Sequence, residues 1–416
     1  MVSRAIYVFS LIVLSNLCLA AVPDPATHPS DTWPRFRGHD GDGMASGFQF
    51  PDPWSEKAIR WKIELPGPGH SSPVVWKDRL FVTSCDPKTA LRIVCCFSVA
   101  DGKMLWKKEF DSKPHPMNKD NSYASSTPAV DARAVYIYST VPEEATITAL
   151  DHDGKEIWRQ SLGAFKSQHG GGTSPACVAN RVIIANDQDG ESSLLGLDAA
   201  TGRIAWKIER KTERAAFATP CVRRLPGGAM ELVFASSSHG LTGVDPAAGK
   251  IKWELEGVFP MRVVGSAAIA DGLVIATCGG GGIGRLLVAA KPGGDGSKPA
   301  VAHQMKALTS YVPTPIAVRD LVFLWGDRGA VTCMRAKTGQ KLWEQKLEGT
   351  FYCSPLYSDG QIFCVSKEGT LFVIKAAEKF EQIAAVPLGE RSFATPAIAH
   401  ATMYVRTENH LMAIGK

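Results

Sequence analysis

The amino-acid sequence predicts an all-β protein, a single propeller of eight four-stranded antiparallel blades. Three observations carry this expectation. A short phrase recurs eight times at intervals that suit one blade. A second phrase, built on tryptophan, alternates with it. Composition favours turns over helices: 39 glycines and 26 prolines in 416 residues, with no amphipathic helical stretch longer than a turn or two.

The first phrase is a small residue, Ser or Thr, Pro, then apolar residues. Its copies centre on Ser72-Pro73, Thr127-Pro128, Ser174-Pro175, Thr219-Pro220, Thr314-Pro315, Ser354-Pro355 and Thr395-Pro396, with a degenerate copy at Ser266-Ala267. Counted at the Pro slot, the intervals are 55, 47, 45, 47, 48, 40 and 41 residues. Four-stranded blades repeat at roughly 40–50 residues. Apolar runs bounded by Asp, Asn and Gly follow each copy, as at Asn180-Arg181, Asp271-Gly272 and Asp359-Gly360, and these read as strands joined by hairpins.

The second phrase is a Gly turn followed four residues later by Trp. It gives Trp106, Trp158, Trp206, Trp253 and Trp343. Ten residues before each stands a small residue: Cys96, Thr148, Gly196, Gly243 and Cys333. The pattern implies a strand, a tight turn, and an outer strand whose indole lies against the next blade. The fifth and seventh repeats lack this Trp.

Closure is legible at the ends of the chain. Trp61 sits on a strand (Ala58 to Ile63) with no inner strands before it. The last repeat, from Ala394, stops without a Trp strand. The Trp61 strand is therefore expected to complete the last blade and remove the open sheet edge. Residues 1–20 read as a cleaved signal peptide, with Arg4, an apolar run from Ala5 to Leu14, and Cys18-Leu19-Ala20 at the cleavage site. Leu17 before Cys18 argues against lipid attachment. This implies a periplasmic or secreted protein, with an N-terminal extension over 21–54 and the propeller over 55–416.

The remaining composition excludes several classes. The net charge is +5 from 46 basic and 41 acidic residues, with no run of like charge, so a nucleic-acid partner is not expected. No later segment is long and apolar enough for a transmembrane helix. Nine cysteines remain after the signal, in no disulfide or metal spacing. Vicinal Cys95-Cys96 reads as strand packing. Asp187 to Glu191 and Asp40 to Gly43 read as turns, and Gly279 to Gly282 as a hairpin. No zinc spacing or nucleophile elbow occurs, so no metal or catalytic residues are assigned.

The run from Gly196 to Trp206, Gly-Leu-Asp-Ala-Ala-Thr-Gly-Arg-Ile-Ala-Trp, resembles the tryptophan-docking motif of PQQ-like propeller repeats. The resemblance covers about residues 55–416 and assigns Trp61, Trp106, Trp158, Trp206, Trp253 and Trp343 to docking. The opening Trp33-Pro34-Arg35-Phe36-Arg37-Gly38 is also similar to bacterial PQQ-like repeat proteins. That family includes quinoprotein alcohol dehydrogenases and BamB, a non-enzymatic part of the outer-membrane β-barrel assembly machinery. The resemblance implies either a BamB-like binding or protein-interaction scaffold without a cofactor, or a dehydrogenase using PQQ with Ca²⁺. An extracellular carbohydrate-binding propeller is a third reading. The motif builds blades and does not choose among them.

The site is expected where propellers have one, at the channel mouth. Residues three to six before each Pro slot are His70, Tyr123, His169, Arg214, Phe217, Arg262, Tyr311, Tyr352, Arg391 and Phe393. Arginines beside aromatic rings suit a protein partner with an acidic segment, or a small acidic or planar ligand. A simpler reading has the rings plug the channel and the arginines solvate its rim. His169, before Gly170-Gly171-Gly172, is expected to let a ligand or another chain approach the backbone.

Overall fold

A computed structural model describes residues 28–294 and 296–415. The expected signal peptide lies outside the described residues. The chain is an eight-bladed β-propeller. Seven blades follow in order over residues 74–110, 129–161, 176–212, 221–255, 268–309, 316–346 and 356–387. The eighth takes three strands from residues 397–415 and its outer strand, Ile59–Glu64, from the start of the ring. That strand pairs antiparallel with His410–Gly415, and Trp61 faces Ala413. Among the described residues helix is confined to two three-residue 3₁₀ turns.

The blades form because their first hairpins are tight. Asp271-Gly272 and Asp359-Gly360 are left-handed at both positions, with φ of 53° and 76°, and of 45° and 89°. Two-residue turns of this hand match the twist of the flanking strands. Side chains then alternate between the two faces of each blade, and each face packs on a neighbour. In Arg92–Ser98, Cys95 joins the core shared by blades 6, 7, 8 and 1, and Cys96 the core between blades 1 and 2. The two thiols are buried and free, and burial pushes both up to about 12.

The indoles join blade to blade. Trp61, Trp106, Trp158, Trp206 and Trp343 donate Nε1–H to the carbonyls of Val99, His152, Ala199, Pro246 and Ala377, each in the following blade. The turn glycine of that next blade lies against the ring. A Cβ on Gly202 would stand 2.5 Å from Trp158, and one on Gly249 2.4 Å from Trp206. Trp253 differs, donating to the buried Glu231 carboxylate at 3.0 Å. In blade 5 His303 occupies the missing Trp position. Its Nε2 donates to Ala336 at 2.7 Å, and its ring abuts Gly339. In blade 2 the residue opposite Trp158 is Ala149, and Thr148 pairs with Arg159. The tenth-residue rule misplaces this slot because the blade 2 turn is one residue shorter.

A hydroxyl ring joins the inner ends. Seven of the eight Ser or Thr residues before the Pro slot accept the amide N–H of their counterpart one blade earlier. The links run from Ser72 to Thr127, Ser174, Thr219, Ser266, Thr314, Ser354 and Thr395, at 2.9–3.3 Å. The eighth link is absent, and Ser72 Oγ has no partner. At that seam the buried Arg406 of blade 8 donates to Ser71 Oγ at 2.7 Å, to the Thr83 carbonyl and to Ser84 Oγ of blade 1. The seam is thus bridged by guanidinium donors to blade 1 where the hydroxyl link is missing.

The segment 30–50, expected to be only an extension, fills one end of the channel. Thr32–Trp33 adds antiparallel to blade 1 and Met44–Ala45 parallel to blade 7. Between them Pro34 and Asp40 accept amides from Val130 and Val222. Arg35 and Arg37 are buried and reach outward like spokes. Arg35 donates to the Pro220 carbonyl at 2.8 Å. Arg37 donates to Thr314, Pro315 and Pro355, and to Asp42 at 2.7 Å. Gly41 and Gly43, at φ 73° and 80°, let the turn wrap the guanidiniums; a Cβ on Gly41 would stand 2.2 Å from Arg35. The Asp40–Gly43 turn is thus a socket for cationic side chains. Asp40 itself holds Arg224 at 2.7 and 2.9 Å.

Two outcomes test this account. Trp206→Ala is expected to lower unfolding free energy by about 3–5 kcal/mol, measured by urea denaturation. Arg37→Ala, which orphans carbonyls of blades 6 and 7, is expected to cost at least about 3 kcal/mol. Arg37→Lys should restore only a minor part, because one ammonium cannot reach them all.

Candidate functional site: the channel mouth

With one end filled, the channel becomes a blind cavity of about 850 Å³. Phe36, carried by the inserted segment, forms part of its floor, and the eight hydroxyl residues from Ser72 to Thr395 ring the wall above it. Each linked hydroxyl accepts a backbone amide and keeps its own proton available. The volume falls in the range of small-molecule pockets, roughly 300–1,000 Å³.

Eight of the ten residues expected at the mouth line this cavity: His70, His169, Arg214, Phe217, Arg262, Tyr311, Tyr352 and Phe393. Tyr123 and Arg391 are not on the wall. Tyr123 is turned into a small side depression, where its hydroxyl meets the backbone of His115. Arg391 sits behind Phe393, 5.0 Å from its ring centroid. Tyr123 is displaced because the connection before blade 2 is longer than the others, and Asn118, Lys119, Asp120 and Asn121 take the wall instead.

The rings and charges are unevenly distributed. On the side of blades 7, 8 and 1, His70 stacks on Phe393 at 4.2 Å, and Tyr352 lies edge-on to Phe393 at 6.0 Å. Lys367 Nζ lies 4.4 Å from the Tyr352 centroid and 5.3 Å from that of Phe393. On the side of blades 3 to 5 stand His169, Phe217, Arg214, Arg262 and Tyr311. Arg214 and Arg262 form no ion pair among the described residues. Carboxylates under the loops set these positions. Asp327 accepts the Tyr311 and Val312 amides at 2.8 and 2.9 Å, and Asp189 those of Gln168 and Ala215. Asp189 therefore has a positioning role, and Asp187 pairs with the buried Arg210 at 3.4 Å; the segment is a structural turn.

Burial lowers His70 to about 3, helped by Arg406, Arg391 and Lys367 against the pull of Asp120. Partial burial and then Arg262 lower His169. Burial raises Tyr311 and Tyr352, with Arg262 opposing the rise at Tyr311 and Asp120 adding to that at Tyr352. The mouth thus presents neutral rings and phenols beside fixed cations.

The glycines after His169 serve the chain itself. Asn121 Nδ2 donates to the carbonyls of His169 and Gly171 at 2.7 and 3.0 Å. A Cβ on Gly170 would stand 3.0 Å from Met117, and one on Gly171 2.3 Å from Thr140. The close approach is filled by Met117 of the connection before blade 2 and by Thr140 of blade 2 itself. The Gly279–Gly282 hairpin does face the cavity, and a Cβ at Gly280, Gly281 or Gly282 would meet nothing within 4 Å.

The sequence matches the family of outer membrane protein assembly factor BamB over residues 90–294, 143–374 and 287–415. The chain belongs to that family. A 98-residue stretch is 32% identical to outer membrane protein assembly factor BamB of Burkholderia pseudomallei (strain K96243), covering 23% of this chain and 25% of that protein. The match thus spans about a quarter of that relative's length. The crystal structure of BamB from Moraxella catarrhalis aligns with a TM-score of 0.60 at 15% identity, over 85% of this chain and 96% of that one. Quinohemoprotein alcohol dehydrogenase from Comamonas testosteroni aligns with a TM-score of 0.63 at 14% identity, over 94% and 81%. At these identities the structural likeness is one of fold, shared by BamB and by dehydrogenases alike. Among the described residues no helix is long and apolar enough to cross a membrane.

His70 gives a testable pH dependence. Its folded value, about 3, lies below the ordinary 6.5. The unfolded chain therefore takes the proton first, and stability is lost as pH falls from 6.5 toward 3. A His70→Gln variant is expected to lose less stability than the parent, by on the order of 2 kcal/mol near pH 4.5, read from urea denaturation at a series of pH values.

Proposed function

We propose that this BamB-family propeller is a non-catalytic binding scaffold of the cell envelope, exported by its N-terminal signal and engaging its partner at the cavity mouth. The observation that carries this reading is the blind cavity whose rim sets unpaired Arg214 and Arg262 on the same side as the His169, Phe217 and Tyr311 rings. Asp189, which holds the Ala215 amide, and the bridge of Arg262 to Gly279 place their loops in advance, which reduces the ordering cost of binding. A guanidinium without a carboxylate favours an anionic ligand, and the rings favour a flat one. The partner is therefore an acidic segment of a protein, or a small acidic or planar molecule. Family membership supports the protein-binding version.

The alternative, a dehydrogenase holding PQQ with Ca²⁺, fits the wall poorly. Such a site needs carboxylate oxygens for the ion and a carboxylate base. Asp120 is the only carboxylate among the described wall residues, and Lys367 and Tyr352 engage it. No catalytic step is derived through that cofactor.

Calorimetric titration of the chain lacking residues 1–20 with PQQ, with and without Ca²⁺, separates the readings. The scaffold reading expects no Ca²⁺-dependent binding. Tight Ca²⁺-dependent binding that Arg262→Ala and His169→Ala abolish would overturn it. A photo-crosslinking residue at Phe217 is expected to trap an acidic polypeptide segment in cells, with yield reduced about tenfold or more by Arg262→Ala.

A further inference from the structure

The rim of the cavity already holds a carboxylate. Asp120 Oδ2 lies 3.1 Å from the Tyr352 hydroxyl and 3.2 Å from Lys367 Nζ. These partners are 232 and 247 residues away in sequence. They stand on the far side of blade 8 from the connection that delivers Asp120.

The two sides of this contact differ in how firmly they are held. The receiving side is fixed. The Lys367 amide donates to the Thr350 carbonyl at 2.7 Å, its carbonyl accepts from Ser392, and Glu368 accepts the Thr350 amide at 3.0 Å. The Lys367 ammonium also rests on the Tyr352 and Phe393 rings. The delivering side is soft. Residues 111–122 contain no strand or helix, and from Asp111 to Asp120 no side chain is buried. Its attachments are few: Asn121 holds the His169 and Gly171 carbonyls, His115 exchanges two hydrogen bonds with the Tyr123 hydroxyl, and the Asn118 amide donates to the His169 carbonyl at 3.3 Å. Segments with few buried contacts open at low cost, and the tip is held by one half-buried ion pair and the Tyr352 hydroxyl.

Across the whole cavity the wall has cations in excess. Lys119, Arg214 and Arg262 line it with Asp120 as the only described carboxylate. Ser72 Oγ, on a residue only 1% exposed, also lines the cavity and has no partner. Hydrogen-bond donors are therefore left over on several sides, and the stack of His70 on Phe393 adjoins them.

We propose that Lys367 and Tyr352 form a carboxylate-binding subsite, that Asp120 is its internal occupant, and that an acidic ligand enters by displacing residues 111–120. The subsite takes a carboxylate carried on a planar group, which the Phe393 and His70 rings receive. Asp120 keeps the lysine neutralised until such a ligand arrives and sets an affinity threshold by competing with it. This rests on the reading of the mouth as a ligand site.

The test uses benzene-1,3,5-tricarboxylate as probe, with calorimetry and hydrogen exchange on the chain lacking residues 1–20. Asp120→Asn removes the competitor and is expected to bind the probe about tenfold tighter than the parent, with an unchanged thermal midpoint. Lys367→Met is expected to abolish binding in both backgrounds. Saturating probe should raise exchange across residues 113–120 of the parent. The proposal is overturned if Asp120→Asn binds no tighter, or if the segment stays protected at saturation. Absence of binding to both proteins also overturns it. The crosslinking readout at Phe217 is independent, so the subsite and the scaffold reading fail separately.

Discussion

A ring of side-chain hydroxyls accepting backbone amides, one blade to the next, is the interaction on which this propeller depends. The innermost strands are short, two to four residues, and offer little sheet of their own. Their heads converge on the axis, where unpaired amides would be costly. A hydroxyl one blade along satisfies seven of these eight amides and fixes the spacing of the blades. The fifth repeat shows which part of the phrase matters. It has lost its proline, as Ala267, but keeps Ser266, which still accepts from Thr219 and donates its amide to Thr314.

The cavity follows from that ring and from what lies beneath it. Below the hydroxyls, Arg35 and Arg37 satisfy carbonyls of the inner strands, and their segment seals the channel. Burial lowers both guanidiniums, Arg37 to about 10, which leaves Arg37 charged at neutral pH. Above the ring, loops of unequal length set the wall. The connection before blade 2 is the longest and carries Asp120 across to blade 7. The asymmetry of the mouth, paired charges and stacked rings on one side and free arginines on the other, comes from that one connection.

The blade architecture was legible because repetition amplifies weak signals. One Ser-Pro dipeptide means little; eight at near-constant spacing mark blades. The mouth was partly legible for the same reason, since equivalent positions in a repeat share a place on the axis. Tyr123 and the His169 glycines were misread where repetition fails, because a long connection can enter space that the repeat alone would leave open. Phe36 and the arginine spokes were hidden for another reason. They lie outside the repeat, and their partners are carbonyls, which leave no trace in side-chain sequence. The hydroxyl ring was visible in the text all along, as a Ser or Thr in every copy, and needed only the question of what the inner amides bind.

The seam between blades 8 and 1 has a bearing on how the chain reaches this state. Arg406 and Ser71 are 335 residues apart, and the outer strand of the last blade is supplied by the first part of the ring. Contacts of such separation form late, because a long loop must close before they return any stability. During synthesis the seven complete blades can emerge in order, but an arc lacking its last strands exposes two raw sheet faces and an unsatisfied strand at each end. Assembly of the ring is therefore a single late event that follows translation of nearly the whole polypeptide. A propeller of this design gains its protection from proteolysis all at once, when its two ends meet.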